Sequence, residues 1–251
     1  MGLFSRSGSK LSGKTTLLLA ADPGPALMDA ARLYDPSVRP WHGRLVFCNG
    51  VLLFGPVPVT PRLEQEAGLP AGMTVAYYTA AALQGHRERR SDEAKHDDGD
   101  RLVHGLADRL GGTARYAGAP PDLALITSVY SKQDLPPQDV IEVLSPYGED
   151  LRLEDRTEDS YSLSGKKIHF MVAYWSPRLY RESEAPPALG PLRAGRLHQW
   201  DLHAAFNRKD IARERVLQVG EAALALARRC DGAAVDEFGF PVSRPEDLLP
   251  R

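Results

Sequence analysis

Two similar six-residue stretches, each with the apolar pattern of a buried strand, constrain the fold of this chain more than any other feature. Val75 to Ala80 reads Val-Ala-Tyr-Tyr-Thr-Ala, and Val172 to Pro177 reads Val-Ala-Tyr-Trp-Ser-Pro. Each stretch is followed downstream by a helical pattern that ends at a glycine, Gly112 in the first half and Gly232 in the second. The repeated order predicts that one module occurs twice.

The segments around both stretches predict strands and helices in the order β-α-β-β-α-β. Apolar runs and turn residues predict strands at 16–21, 44–54, 122–130 and 161–163, and helices at 25–34, 136–146 and 211–230. The segment 176–208 is predicted to be a Pro-rich insertion, and 86–100 a solvated loop before a helix that Asp100 caps. This order is that of the split βαβ or ferredoxin-like fold.

We therefore expect an α+β protein made by tandem duplication of a ferredoxin-like (βαββαβ) module and packed as a pseudo-dimer. The predicted parts are a flexible leader over 1–15, a first module over 16–118 and a second module over 119–251.

Composition and charge limit the function classes. The formal net charge is −2 and the sequence pI is about 6.4, so the chain has no global basic field for binding nucleic acid. No apolar run approaches the roughly 20 residues that span a bilayer, and the start lacks the pattern of a signal peptide. Two cysteines are too few for a disulfide framework. These features favour a cytoplasmic protein that binds neither nucleic acid nor membrane.

A phosphate-loop pattern near the N-terminus provides an alternative function. Residues 8–15, Gly-Ser-Lys-Leu-Ser-Gly-Lys-Thr, match G-x-x-x-x-G-K-[ST], in which backbone N–H groups surround phosphates, Lys14 adds a positive charge and Thr15 holds Mg²⁺. The context differs from that of a phosphate loop, because no apolar strand precedes Gly8 and the segment after Lys14 is predicted to be a strand. Lys14 and Thr15 are cofactor-binding residues only under this alternative.

The same N-terminal segment, with Ser131 to Pro136 after an apolar strand, resembles small Ras-like GTPases of the ADP-ribosylation-factor kind in two fragments. In that family an Asn-Lys-x-Asp motif recognises guanine, and here Ser131, Lys132 and Asp134 stand at three of its positions. Ser131 replaces the asparagine. The resemblance implies nucleotide binding, in agreement with the phosphate-loop alternative.

Histidines and acidic runs are the candidate metal ligands of the sequence. His198 and His203 flank Asp201, but they lack a helical i, i+4 pair with a third ligand, so surface or hydrogen-bonding roles are predicted. The acidic run 149–159 lacks the glycine and terminal glutamate of an EF-hand loop. We predict no metal site, no cofactor and no catalytic residue.

The aromatic pairs of the two Val-Ala-Tyr stretches supply the predicted binding surface. Adjacent strand residues point to opposite faces, so one member of each pair faces a core and the other an exposed face or a facing module. Tyr78 and Trp175 are predicted to line a partner or ligand surface, with His169 or Arg178 supplying polarity.

The leading function predicted from the sequence is a non-catalytic interaction protein whose partner is another protein or a small molecule. A small-molecule enzyme with its site between the two modules is a further alternative. The sequence leaves the oligomeric state open.

Overall fold

The computed structural model describes residues 11–81, 92–120, 124–148, 150–165, 170–178, 185–207 and 212–249. The chain divides into two compact units, with the boundary between Pro121 and Asp122. Each unit is a mixed α+β structure built on one antiparallel sheet, which agrees with the α+β class predicted from the sequence.

The described residues of unit 1 form a six-stranded sheet and three helices. Its strands are β1 Thr16–Leu19, β2 Arg39–Pro40, β3 Arg44–Val46, β4 Val51–Pro58, β5 Val75–Ala81 and β6 Thr113–Arg115, in the sheet order β2-β3-β4-β5-β1-β6. Its helices are α1 Pro25–Tyr34, α2 Pro61–Ala67 and α3 Asp92–Leu110. Helix α3 begins eight residues before Asp100, so the predicted solvated loop is wrong over 92–100.

In unit 2, the part of the chain that the structure describes forms a seven-stranded sheet and two α-helices. Its strands are β7 Ala124–Ser131, β8 Arg152–Arg156, β9 Ser160–Ser164, β10 Phe170–Trp175, β11 His198–Asn207, β12 Ala233–Val235 and β13 Pro241–Val242, in the order β13-β12-β7-β11-β10-β9-β8. The helices are α4 Pro137–Leu144 and α5 Arg213–Arg229, and short 3-10 helices cover Pro187–Arg193 and Pro245–Leu248.

The two sheets share one strand order. In each unit the first strand is paired on both sides with strands from much later in the chain. Strand β1 pairs with β5 and β6, and β7 pairs with β11 and β12. All of these pairs are antiparallel. The ferredoxin-like form of the duplication is not confirmed, because a βαββαβ module has four strands and these sheets have six and seven.

The two Val-Ala-Tyr stretches occupy different positions in the shared order, contrary to the sequence prediction. Strand β5, with the first stretch, pairs directly with the central strand β1, whereas β10, with the second, is separated from β7 by β11. Strand β11 lies within the segment predicted to be a Pro-rich insertion. The short helices Pro61–Ala67 and Pro187–Arg193 do correspond, since each precedes the strand that pairs with the first strand of its unit.

The last helix of each unit ends in the same way. The N–H of Gly112 donates to the carbonyl of Ala107 at 2.9 Å, and the N–H of Gly232 donates to the carbonyl of Ala227 at 2.8 Å. The residue before each glycine, Gly111 or Asp231, has a positive φ of 65° or 48°. This is the Schellman arrangement, which turns the chain from the helix into the strand that follows, β6 or β12.

The main core of unit 2 lies between one face of the sheet and helices α4 and α5. Inward-facing residues alternate along the central strands, as Val172 and Tyr174 do on β10 and Trp200 and Leu202 do on β11. On the opposite face, Tyr130 and Val235 pack against Leu189 and Leu197. The site described next lies at the edge of the main core.

Candidate functional site

A pocket of about 450 Å³ opens in unit 2 beside the first turn of helix α4 and the β8–β9 hairpin. Its apolar and aromatic lining consists of Leu135, Pro136, Pro137, Ile141, Leu153, Tyr161 and Tyr174. Its polar lining consists of Asp134, Gln138, Arg156, Thr157, Glu158 and Ser160. An apolar floor with a few polar groups at its rim is the usual composition of a binding pocket.

The loop between β7 and α4 forms one wall of the pocket and is fixed at both ends. At its start the Ser131 hydroxyl donates to the Cys230 carbonyl and accepts the Gln133 N–H at 2.9 Å. At its end Pro137 begins α4, where the missing N–H of proline costs nothing. Arg229 then joins α5 to Asp139 of α4 at 3.0 Å. The side chains in between are therefore held at the pocket.

A β-bulge in strand β8 forms the opposite wall. Leu153 lies opposite the buried Leu163, and Arg156 lies opposite Tyr161, with a register shift between Leu153 and Asp155. Without the shift, residues three positions apart would point to opposite faces of the strand. The bulge thus directs both Leu153 and Arg156 to the face that carries the pocket.

The aromatic floor is rigid because every polar atom in it has a partner. Tyr161 and Tyr174 lie on adjacent strands and stack with their centroids 4.5 Å apart. Trp200 donates its Nε1–H to the Tyr161 hydroxyl at 2.9 Å, and that hydroxyl donates to the Leu135 carbonyl at 3.3 Å. Burial raises the pKa of both tyrosines, so their hydroxyls stay protonated at neutral pH.

A carboxylate, an imidazole and a phenol meet at one end of this floor. The Tyr174 hydroxyl lies 2.8 Å from His198 Nδ1 and 3.2 Å from Asp134 Oδ1, and His198 Nδ1 lies 3.4 Å from the same Asp134 oxygen. The carboxylate and the phenol thus approach the same ring nitrogen. A proton relay through imidazole needs its two partners on opposite nitrogens. This arrangement fits the orientation of side chains better than proton transfer.

Acidification is expected to destabilise unit 2 partly through His198. Burial lowers the pKa of His198, and the charge of Asp134 opposes this effect in part. Stability from the neutral imidazole is fully present above the unfolded pKa of about 6.5 and is lost as the pH falls through the lower folded pKa. Scanning calorimetry at about pH 7.5 and about pH 5.5 should show a smaller fall in Tm for His198→Gln than for the unchanged protein. Equal falls in both proteins would contradict this prediction.

Tyr78 lies in unit 1, where it is half-buried on β5. Its ring stacks on Phe54 at 5.2 Å with an interplanar angle of 6°, and Lys14 Nζ lies 4.9 Å from the ring centroid. It also packs against the buried cluster that contains Leu18 and Ala76. These contacts make Tyr78 part of the packing of unit 1.

Trp175 and Arg178 lie in unit 2 but do not line the pocket. Trp175 is 40% exposed on the face opposite Tyr174, and its Nε1–H donates to Asp201 Oδ2 at 3.0 Å. Arg178 is exposed and pairs with Glu158 and, at 3.7 Å, with Asp159. Arg178 therefore reaches the pocket only through the rim residue Glu158. His169 lies outside the described residues.

The structure at Lys14 and Thr15 differs from that of a phosphate loop. The chain enters strand β1 at Thr16, where a phosphate loop would begin a helix. The Thr15 hydroxyl donates to Asp100 Oδ1 and accepts the Ala117 N–H at 3.1 Å. These bonds join β1 to helix α3 and to the chain after β6. Gly8 lies outside the described residues.

Sequence reasoning missed the residues that form the pocket floor and its polar end. The sequence marks Asp134 only through the GTPase-like fragment, and it predicts a surface or hydrogen-bonding role for His198 without identifying Tyr174 as the partner. The alternation of Trp200, Leu202 and Ala204 was the available signal for strand β11. Recognising that strand would have placed His198 beside Tyr174.

In the described parts of the chain, no cluster of three or more His, Cys, Asp or Glu side chains is arranged to hold a metal ion. No helix among the described elements is long and apolar enough to cross a bilayer.

Comparisons with protein-family models, with curated proteins and with solved structures gave no match to this chain. The function proposed below therefore rests on the geometry of the pocket.

Proposed function

We propose that this chain is a non-catalytic interaction protein whose unit 2 pocket binds a short segment of another protein. The observation that carries the proposal is the rigid Tyr161–Tyr174 floor between apolar walls and a polar rim. Aromatic residues that are already fixed lose little conformational entropy when a partner binds. An apolar centre surrounded by polar groups is the common anatomy of a protein interface.

The geometry of this region favours binding of a partner's side chain in the pocket over two other functions, acid–base relay and addition of a strand to the sheet. The carboxylate and the phenol share one nitrogen of His198, which does not support acid–base relay. Strand β8 lies at the end of the sheet order and could accept an added strand, but it is short, bulged and rich in charge. Those three features protect sheet edges from strand addition. The pocket beside β8 is the better surface for a partner.

The test is selection from a phage-displayed library of random peptides about twelve residues long, against the full-length protein. The enriched peptides are synthesised and titrated by calorimetry. Leu153, which is 42% exposed and lines the pocket, is then changed to aspartate. We expect Leu153→Asp to weaken binding about tenfold or more, because it puts a charge against the apolar wall.

Leu33→Asp is the matched control. Leu33 is a 50% exposed leucine on helix α1 of unit 1, and it does not line the pocket. Leu33→Asp should leave the Kd for the peptide unchanged, and circular dichroism should show both variants folded. Failure to enrich any peptide, or equal affinities of the two variants, would overturn the proposal.

We also propose that the two units arose by tandem duplication of one α+β module. Three features support this: the common strand order, the short helix that precedes β5 or β11, and the Schellman ends at Gly112 and Gly232. A ferredoxin-like ancestor would require that the additional strands were acquired before the duplication.

A further inference from the structure

We propose that the segment bound in the unit 2 pocket carries a basic side chain that pairs with Asp134 and an acidic side chain that pairs with Arg156, on either side of an apolar residue. This inference rests on the proposed function, because it specifies the segment that the pocket binds. It defines the ligand as a short peptide with two opposite charges in a fixed spacing.

Asp134 provides an unneutralised negative charge at one end of the pocket. Its side chain is 61% exposed, and its nearest titratable neighbours are the Tyr174 hydroxyl at 3.2 Å and His198 Nδ1 at 3.4 Å. Burial lowers the pKa of His198, so the imidazole is neutral at pH 7.5 and does not cancel the carboxylate. No lysine or arginine of the described chain pairs with Asp134. A basic side chain entering over Tyr174 would meet this carboxylate.

Arg156 provides the opposite charge at the other end. It lies on strand β8 directly across from Tyr161, on the face that carries the pocket, and it is exposed. None of the ion pairs among the described residues involves its guanidinium. The rim carboxylate nearest to it in sequence, Glu158, is paired with Arg178. Arg156 is therefore available to an acidic group of a partner.

The strand register sets the distance between the two charges. Arg156, Tyr161 and Tyr174 lie in line across β8, β9 and β10. Adjacent strands are about 4.8 Å apart, so the backbones at Arg156 and Tyr174 are separated by roughly 10 Å. Asp134 lies on the far side of Tyr174 from Arg156 and contacts the Tyr174 hydroxyl. An extended peptide rises about 3.3 Å per residue, so its two charged side chains are separated by about three residues or slightly more.

The first readout is the sequence pattern of the peptides that the random library yields. We expect enriched peptides to carry a lysine or arginine and a glutamate or aspartate about three positions apart, with an apolar residue between them. Enriched peptides that bind in the pocket but lack opposite charges would overturn this inference and leave the proposed function intact. A library that yields no binder would overturn both.

The second readout is a double-mutant cycle on one enriched peptide. Asp134→Asn keeps an oxygen that accepts from Tyr174 and removes the charge, and Arg156→Gln removes the charge of an exposed residue. Each change should weaken binding of the original peptide about three- to fivefold. It should not weaken binding of a peptide from which the matching charge has been removed. The control is Arg152→Gln, an exposed arginine of the same strand that does not line the pocket. Losses that are independent of the peptide charges, or as large in Arg152→Gln, would refute the pairing.

Discussion

Trp200→Ala is expected to lower the free energy of unfolding of unit 2 by about 3–5 kcal/mol, the largest effect of any single change considered in that unit. Trp200 is fully buried in the unit 2 core, where its ring lies 5.4 Å from that of Tyr174 on the adjacent strand. Its removal leaves a cavity and also deprives the Tyr161 hydroxyl of a hydrogen-bond donor. A loss of this size is a large part of the stability of an ordinary domain.

Urea unfolding followed by far-UV circular dichroism measures this effect without depending on tryptophan fluorescence. Trp175→Ala is the matched control, because Trp175 lies in the same sheet but is 40% exposed on the opposite face. It should cost about 1 kcal/mol, mainly through the lost bond to Asp201. Similar losses for the two tryptophans would contradict the assignment of Trp200 to the core.

Gly232→Ala and Gly112→Ala are each expected to destabilise the protein by about 2–3 kcal/mol through overpacking. A Cβ at Gly232 would lie 2.3 Å from the Tyr130 carbonyl oxygen, and a Cβ at Gly112 would lie 2.6 Å from the Leu18 carbonyl oxygen. Both oxygens belong to the first strand of their unit. Backbone cannot move aside as a flexible side chain can, so the helix end and the sheet would have to separate.

Gly118→Ala is the control for both glycines. A Cβ at Gly118 meets nothing within 4 Å, so its replacement should change the free energy of unfolding by less than about 0.5 kcal/mol. The midpoints of thermal or urea unfolding of the three variants provide the comparison. A neutral result at either Gly112 or Gly232 would mean that the close approach to the sheet is not a requirement of the fold.

Local signals in the sequence predicted many elements but not their places in the sheets. The helices observed at 25–34 and 137–144 follow from proline starts and apolar spacing, and the 44–54 hairpin follows from Asn49-Gly50. The Val-Ala-Tyr stretches were similar for a local reason, since both are strands with one buried face. Their positions depend on pairing with residues far along the chain, which a local pattern does not encode.

The pocket was hidden from sequence reasoning for the same physical reason. Tyr161, Tyr174 and Asp134 come together only through strand pairing and the bulge in β8, and no single sequence motif contains all three. The helix-ending glycines were visible because one residue type meets a steric demand that no other residue meets. A packing requirement of that kind can be recognised from one position in the sequence, whereas a pocket lined by four separate segments cannot.

The central position of strands β1 and β7 determines when each unit can fold on the ribosome. Val129 pairs with Trp200 and with Ala234, and Leu18 pairs with Ala76 and with Thr113. The first strand of each unit to be synthesised therefore waits for the last ones, with both of its edges open. Such a nascent strand is prone to associate with other chains until its partners emerge. Synthesis of this protein thus includes two separate intervals of exposure, one for each unit.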